Sequence, residues 1–411
     1  MVAMSVGLSM AVVSLAKLLL LLCALYTLSN ILFRTPYTAV ELNNRAIRFT
    51  PVVVLTTFFA FALSLLWTTA PAADAMGSLA KYGKLLVIVV LTVLIRDRRE
   101  ALYALGWFVL AQLFLVASSW ALFLHLPVPW ATSNMALTNY AVFSSYLDQG
   151  IMGSVTAALC WHLRDLAPGK YGRQFAVAAA VLLISNVLFV LIGRSGHVVS
   201  IVLLSLAIMW QLPKKYRVFV VFLPFLIALT LFFSSNKVRE RLVLVKNEVQ
   251  SYSIQDKPDT SSGIRLHLWL NAVKILAEHP VLGSGVGSWS TEYNRLQNKQ
   301  NSNHRNISGN GNPHQEYLQW GLQLGVPGIL LIFSLFGSIF LDTLFAKTEI
   351  ARATQSILVA LVVACLFNSV IYDALIGDFF CIAIGLLFAL SIHSEKQFPI
   401  VNKFSFIGRR V

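Results

Sequence analysis

The sequence predicts an all-α polytopic membrane protein: a bundle of about twelve transmembrane helices with one large, partly helical loop on the outer side. Three observations carry this reading. Apolar residues make up 57% of the 411 residues and charged residues 12%, far more hydrocarbon-matching sequence than a soluble core of this length uses. The apolar runs are continuous and rich in Leu, Val and Ala, as from Phe49 to Ala70, whereas a membrane barrel needs short alternating strands. Helices then satisfy the backbone polar groups within each segment. Basic residues gather on alternate connections, the charge pattern that orients a helical bundle.

In chain order, the candidate spans are 49–70, 78–95, 101–124, 140–162, 174–192, 197–212, 218–233, 321–344, 356–374 and 376–393. Residues 1–33 are apolar apart from Lys17 and supply either one tilted span or a tight pair of short ones. The pair makes the total twelve. This stretch lacks the short apolar core and small-residue cleavage site of a removable signal.

The basic connections hold Arg96, Arg98 and Arg99, then Arg164, Lys170 and Arg173, then Lys214, Lys215 and Arg217, then Lys347 and Arg352, and finally Lys396, Lys403, Arg409 and Arg410. These read as cytoplasmic. The outer side then receives residues 71–77, 125–139, 193–196 and the longest extramembrane segment, 234–320. Three regions follow: N-terminal transmembrane helices (1–233), an outer loop (234–320), and C-terminal transmembrane helices with a cytoplasmic tail (321–411). The net charge of +14 lies largely in the orienting loops, so it signals topology and membrane lipids rather than nucleic acid. Cys23, Cys160, Cys365 and Cys381 all fall inside predicted spans, where they pack as small apolar residues. No internal repeat of the kind that builds many transporters is visible.

The outer segment carries ten basic residues against seven acidic ones, a surplus that suits an anionic ligand or anionic headgroups. Within it, Gly263 to Glu278 reads as a helix capped by Ser261 or Ser262, with Ile264, Leu268 and Ile275 on one side and Arg265 near its start. The helix is expected along the membrane surface or beneath the loop. Gly283-Ser284-Gly285-Val286-Gly287 follows a helix rather than a strand, so it reads as a tight turn and not a nucleotide loop.

Several polar residues stand out. Arg194 sits in a short outward turn, Gly193-Arg194-Ser195-Gly196, against the inward bias of positive charge, which marks it for a partner or a ligand. Lys81 and Lys84 lie on the outer half of their span, suited to lipid phosphates or to interface anchoring. Asp373 and Asp378, near the turn between the last two spans, are candidates to pair with an arginine, to orient a histidine or to cap the final helix. Asp373 is the preferred functional one. His314 follows Asn312-Pro313 and precedes a short predicted helix, Gln315 to Leu324, which Gly325 ends before Pro327 opens the next. Taken alone it is equally a water-bonded histidine at a helix start.

His314-Gln315, nine residues, Gly325, two residues and Gly328 resemble the histidine and double-glycine pattern of bacterial O-antigen ligases and their relatives, the O-antigen polymerases and oligosaccharide-to-protein ligases. Gly193-Arg194-Ser195-Gly196 between two spans, Arg265 ahead of Trp269, and His279-Pro280-Val281-Leu282-Gly283 onward are similar to that superfamily in order and topology. The resemblance runs from about the second span onward.

It implies a glycosyltransferase of the bacterial inner membrane, with its active site facing the periplasm. The donor would be O-antigen linked to undecaprenyl pyrophosphate and the acceptor a sugar hydroxyl of lipid A-core, with no cofactor. Arg194 and Arg265 would neutralise the pyrophosphate, aided by Lys81 and Lys84. His314 would act as general base, supported by Gln315, Asp373, Gly325 and Gly328. No acidic cluster on the outer side suggests a metal site, so metal-independent, inverting displacement is expected. The ligase reading is preferred over the polymerase because no added outer domain is seen. The alternative of another class is a lipid or polysaccharide transporter, which predicts charges lining a central pathway.

Overall fold

The computed structural model describes residues 1–8, 10–33, 47–218, 222–226, 261–299 and 311–394. Among these the α-helices are α1 (Val2–Ser5), α2 (Met10–Phe33), α3 (Thr50–Leu63), α4 (Ala72–Tyr82), α5 (Leu85–Leu94), α6 (Arg98–Phe123), α7 (Asn134–Asn139), α8 (Tyr146–Leu163), α9 (Gly172–Phe189), α10 (Arg194–Gln211), α11 (Ser261–Glu278), α12 (Trp289–Lys299), α13 (Glu316–Leu324), α14 (Val326–Thr343), α15 (Thr348–Cys365) and α16 (Ala374–Ile392). No strand occurs among the described residues. Among the described residues seven helices are long and apolar enough to cross a membrane, or eight if the bent pair α4 and α5 is one span. The chain is a polytopic α-helical membrane protein.

The bundle is built around α16, whose apolar window is 94% buried, whereas that of the peripheral α2 is 11% buried. α16 packs on α5 and α6, and a ring-to-ring contact of Phe108 and Phe379 at 5.0 Å fills one of these seams. α8 is flanked by α9, α10 and α15. At its crossing with α10 the backbones nearly touch: a Cβ on Gly196 would lie 2.8 Å from the Gly150 Cα. Glycine is needed there because any side chain would separate the helices.

Several expected spans take a different form. Residues 1–33 give the four-residue α1 and the single long α2 rather than a pair of short spans. The run 78–95 breaks at Gly83 and Lys84 with a 41° bend. The helix expected from residue 140 starts at Tyr146, after a loop in which Tyr140 and Phe143 adopt positive φ. The span expected at 356–374 is displaced to Thr348–Cys365. Its apolar end, Val370 to Tyr372, leaves the helix because its backbone groups bond to another element, described below. The expected span 218–233 lies largely outside the described residues.

The end of the bundle away from α13 is tied by side chain to backbone contacts. Asp342 of α14 accepts hydrogen bonds from the backbone N–H of Arg48 (2.9 Å), Phe49 (3.1 Å) and Thr50 (2.8 Å), so one carboxylate caps the start of α3 from a neighbouring helix. Arg352 donates to the Trp210 carbonyl, and a His393 ring nitrogen lies 2.9 Å from the Ile95 carbonyl oxygen. Replacing Asp342 with Ala orphans three donors, and a loss of about 2 kcal/mol is expected. Thermal unfolding in detergent should show a lower midpoint for Asp342→Ala and a smaller drop for Asp342→Asn, which keeps one acceptor oxygen.

Candidate functional site

His314 lies at the start of α13, half-buried, with φ +53°, a left-handed backbone that a non-glycine residue rarely adopts. Asn312 makes this conformation possible. Its side-chain oxygen accepts from the His314 N–H at 2.8 Å, closing a local turn. The imidazole Nδ1 lies 3.1 Å from the Asn368 side-chain oxygen. Asp373 joins the two asparagines: its carboxylate accepts from Asn312 Nδ2 and from Asn368 Nδ2, each at 3.0 Å. Asp373 is the residue before α16 but makes no side-chain cap to it. Burial raises its pKa, opposed by the neighbouring charges of His314, Lys84 and Lys81.

The turn that presents Asn368 and Asp373 is stitched to the start of α13 by three hydrogen bonds. The Gln315 N–H donates to Ser369 Oγ (3.1 Å), and Glu316 Oε2 accepts from the N–H of Ile371 (2.8 Å) and Tyr372 (3.3 Å). Glu316 Oε1 accepts from the Trp320 indole at 2.7 Å. Trp320 in turn meets Phe61 and Tyr82 edge to face, with ring centroids 5.1 and 5.9 Å away. Gln315 also caps α13, its side-chain oxygen accepting from the Leu318 N–H at 2.5 Å. The helix expected over 315–324 is thus observed as Glu316–Leu324.

Gly325 ends α13 with φ +70° and ψ −158°, a region essentially closed to residues with a Cβ rather than the expected left-handed helical one. A Cβ there would lie 2.5 Å from the Pro280 carbonyl oxygen, and the next N–H, of Val326, bonds that oxygen at 2.7 Å. Gly328 packs equally tightly under the Trp320 carbonyl. The glycine run 283–287 is a turn that closes the end of α13: the N–H groups of Ser284 and Gly285 donate to the Leu322 and Gln323 carbonyls at 2.8 and 2.9 Å.

α11 places Arg265. The helix runs from Ser261, and its Leu268 and Ile275 pack with Trp289, Tyr293, Leu296 and Leu322, so α11 sits on α12 and α13. The indole N–H of Trp269 donates to the His314 carbonyl at 3.4 Å. Arg265 is one turn earlier, about 6 Å along the helix axis. Arg194 is the first residue of α10 and is exposed. The two guanidiniums are electrostatic neighbours: burial, together with the like charge of Arg194, lowers the pKa of Arg265, while Tyr146 raises it. Among the described residues neither arginine forms an ion pair with an acid. The Gly193 backbone packs against Tyr146, the first residue of α8, which holds the arginine turn in place.

The lysines separate. Lys81 is exposed, its ammonium 4.0 Å from the centre of the Tyr372 ring. Lys84 does not take the expected place at a lipid phosphate. It is buried at the break between α4 and α5 and donates to the carbonyls of Tyr372 (3.5 Å), Asp373 (2.5 Å) and Ala374 (3.4 Å). The Asp373 carbonyl also accepts from the Gly377 N–H at 3.3 Å, so Lys84 ties the start of α16 to the break between α4 and α5. Asp378 lies inside α16 rather than in the turn, where it pairs with Lys17 of α2 at 2.8 Å. Glu278, His279 and Glu292 bring ligand atoms within 4.8 Å of one another, but Arg295 already pairs with both carboxylates. Of the basic residues in the outer segment, Lys237, Arg239, Arg241, Lys246, Lys257 and Arg305 lie outside the described residues.

Residues 179–333 match the family model described as O-Antigen ligase. This stretch contains Arg194, Arg265, His314, Gly325 and Gly328. The match supports membership of the O-antigen ligase/polymerase superfamily. It is also 29% identical over 117 residues to an uncharacterized protein of Haemophilus influenzae; the matched stretch is 28% of this chain and 29% of that relative. Asn368 and Asp373, which hold His314, lie beyond the stretch that matches the superfamily model. Asn312, Asn368 and Ser369 escaped the sequence reading because single asparagines and serines near helix ends are common. Only the side-chain bonds single these out.

Glu316 gives the site a pH-dependent stability. Its burial pushes the carboxyl from 4.5 up to about 7, against the lowering effect of its Trp320, Tyr372 and Ile371 donors. Between those values the folded chain holds a proton that the unfolded chain has released, so the Glu316 contribution to stability falls as pH rises from about 4.5 to about 7. Glu316→Gln should flatten that part of the profile of unfolding midpoint against pH. It should also lower the midpoint throughout, because an amide turns a donor toward N–H groups that need an acceptor.

Proposed function

We propose that the protein transfers a glycan from undecaprenyl pyrophosphate to a sugar hydroxyl of lipid A-core, at the periplasmic face of the bacterial inner membrane. The observation that carries this reading is a pair of arginines within electrostatic reach of each other, Arg194 at the start of α10 and Arg265 on α11, neither paired with an acid among the described residues, with α11 also bonding the His314 carbonyl through Trp269. Two permanent positive charges held together without a counter-ion favour an anion, and pyrophosphate presents oxygens that match the guanidinium fork. Lys81, exposed above Tyr372, adds a further cation beside the same turn.

The chemistry follows from these groups. The acceptor oxygen attacks the anomeric carbon, the bond from that carbon to the pyrophosphate oxygen breaks, and the lipid pyrophosphate leaves with the electron pair. The arginines stabilise the charge that grows on the leaving group. His314 takes the acceptor hydroxyl proton as the new bond forms and later releases it to water. With one base and direct displacement, the anomeric centre inverts. The large outer segment, 234–320, serves in this reading to bring Arg265 and His314 over the membrane surface.

The test uses purified protein with synthetic undecaprenyl-pyrophosphate-linked oligosaccharide and lipid A-core. Wild type should join them without energy input, and His314→Ala should lose about 10²–10⁴ in kcat. Arg194→Ala and Arg265→Ala should each lose about 10²–10³, with lysine at either position recovering only part. Full turnover by His314→Ala would remove it as the base. In cells, loss of the gene should leave core lipid bare of O-antigen; core carrying a single repeat unit would instead indicate a polymerase.

A further inference from the structure

The bonds around His314 bear on which of its nitrogens does the chemistry. An ionised carboxylate only accepts hydrogen bonds, so an amide that reaches Asp373 must turn its NH2 group toward it. Asn368 does so at 3.0 Å, through Nδ2 to Asp373 Oδ2. Its oxygen is thereby turned the other way, to within 3.1 Å of His314 Nδ1. An amide oxygen has no proton to give, so the shared proton must sit on Nδ1. Flipping the Asn368 amide would set its oxygen against the Asp373 carboxylate and lose both bonds. The other Asp373 oxygen orients Asn312 in the same manner, and Asn312 holds the His314 N–H at 2.8 Å. Ring and backbone of the histidine thus answer to one carboxylate through two amides. Nε2 has no protein partner among the described residues.

We infer that Asn368 is a positioning residue that, oriented by Asp373, keeps the neutral imidazole of His314 protonated at Nδ1 and so leaves the Nε2 lone pair as the base. The inference rests on the glycosyl-transfer reading for its consequence, because only there does Nε2 receive the acceptor hydroxyl proton. The proton path balances: Nε2 gains the hydroxyl proton, the resulting imidazolium keeps its Nδ1 proton on Asn368, and release from Nε2 restores the starting form. Asn368 does not touch substrate in this scheme. It acts through the ring.

The experiment is 15N magnetic resonance of the full chain, labelled in the histidine rings and reconstituted in lipid nanodiscs, with the His314 signals found by difference from His314→Gln. In wild type at a pH where the ring is neutral, the proton should be on Nδ1. In Asn368→Leu and in Asp373→Asn, the Nδ1-protonated form should lose its dominance. Turnover with the synthetic undecaprenyl-pyrophosphate-linked oligosaccharide and lipid A-core should fall about 10–100-fold in kcat for each variant, in the range seen when groups that orient a catalytic or ligating histidine are removed. The donor KM should stay near the wild-type value. The double variant should be no slower than the slower single one, because both changes remove the same orientation. An Nε2-protonated ring in wild type overturns the inference, and that spectrum needs no variant to fold. Unchanged kcat in Asn368→Leu overturns it as well. If His314→Ala is inactive while either result holds, the base assignment stands and the role of Asn368 alone falls; full turnover by His314→Ala removes both.

Discussion

A segment of backbone that leaves helical geometry beside an apolar bundle must find partners for every N–H and C=O it exposes, and the turn between α15 and α16 shows how this chain meets that demand. Glu316 takes the N–H groups of Ile371 and Tyr372, Ser369 takes that of Gln315, and Lys84 takes the carbonyls of Tyr372, Asp373 and Ala374. Remove these bonds and residues 366–373 would be driven back toward helix, which would carry Asn368 and Asp373 away from His314. The rest of the site depends on this stitching. Its participants come from three separate parts of the chain, at residues 84, 315–316 and 369–374, so the turn exists only in the assembled bundle.

The two halves of the site are held by different physics. On the histidine side, neutral amides and one carboxylate set orientation through hydrogen bonds of 2.8–3.1 Å, with a left-handed backbone at His314. On the arginine side, close glycine packing between α8 and α10 positions a charge that nothing in the described protein neutralises. α11 links the halves, with Trp269 on the His314 carbonyl and Arg265 one turn away. Such a division suits a reaction in which one partner loses a proton and the other gains negative charge.

Much of the organisation was legible in the chain because hydrophobic runs and basic clusters are local signals. The helices at 101–124, 174–192 and 321–344 needed no tertiary knowledge, and neither did the helix through Arg265 nor the short one after His314. The span expected at 356–374 went astray because Val370, Ile371 and Tyr372 look like membrane sequence, yet their backbone bonds to Glu316 outweigh helix continuation. Lys84 misled for a similar reason. A lysine near the outer edge of a span reads as a phosphate contact, but here the helix break at Gly83 turns it inward to cap a distant turn.

By itself, then, the sequence determined the class of the protein and the order of most helices. These follow from composition, periodicity and charge placement, and each is a property of a short stretch. Only the tertiary structure decided that Asn312, Asn368 and Asp373 converge on His314, that Arg265 comes within electrostatic reach of Arg194, and that Lys84 and Asp378 are spent inside the bundle. Hydrogen bonds and electrostatic influences between residues distant in the chain leave no periodic trace along it; they exist only where folding has closed the distance.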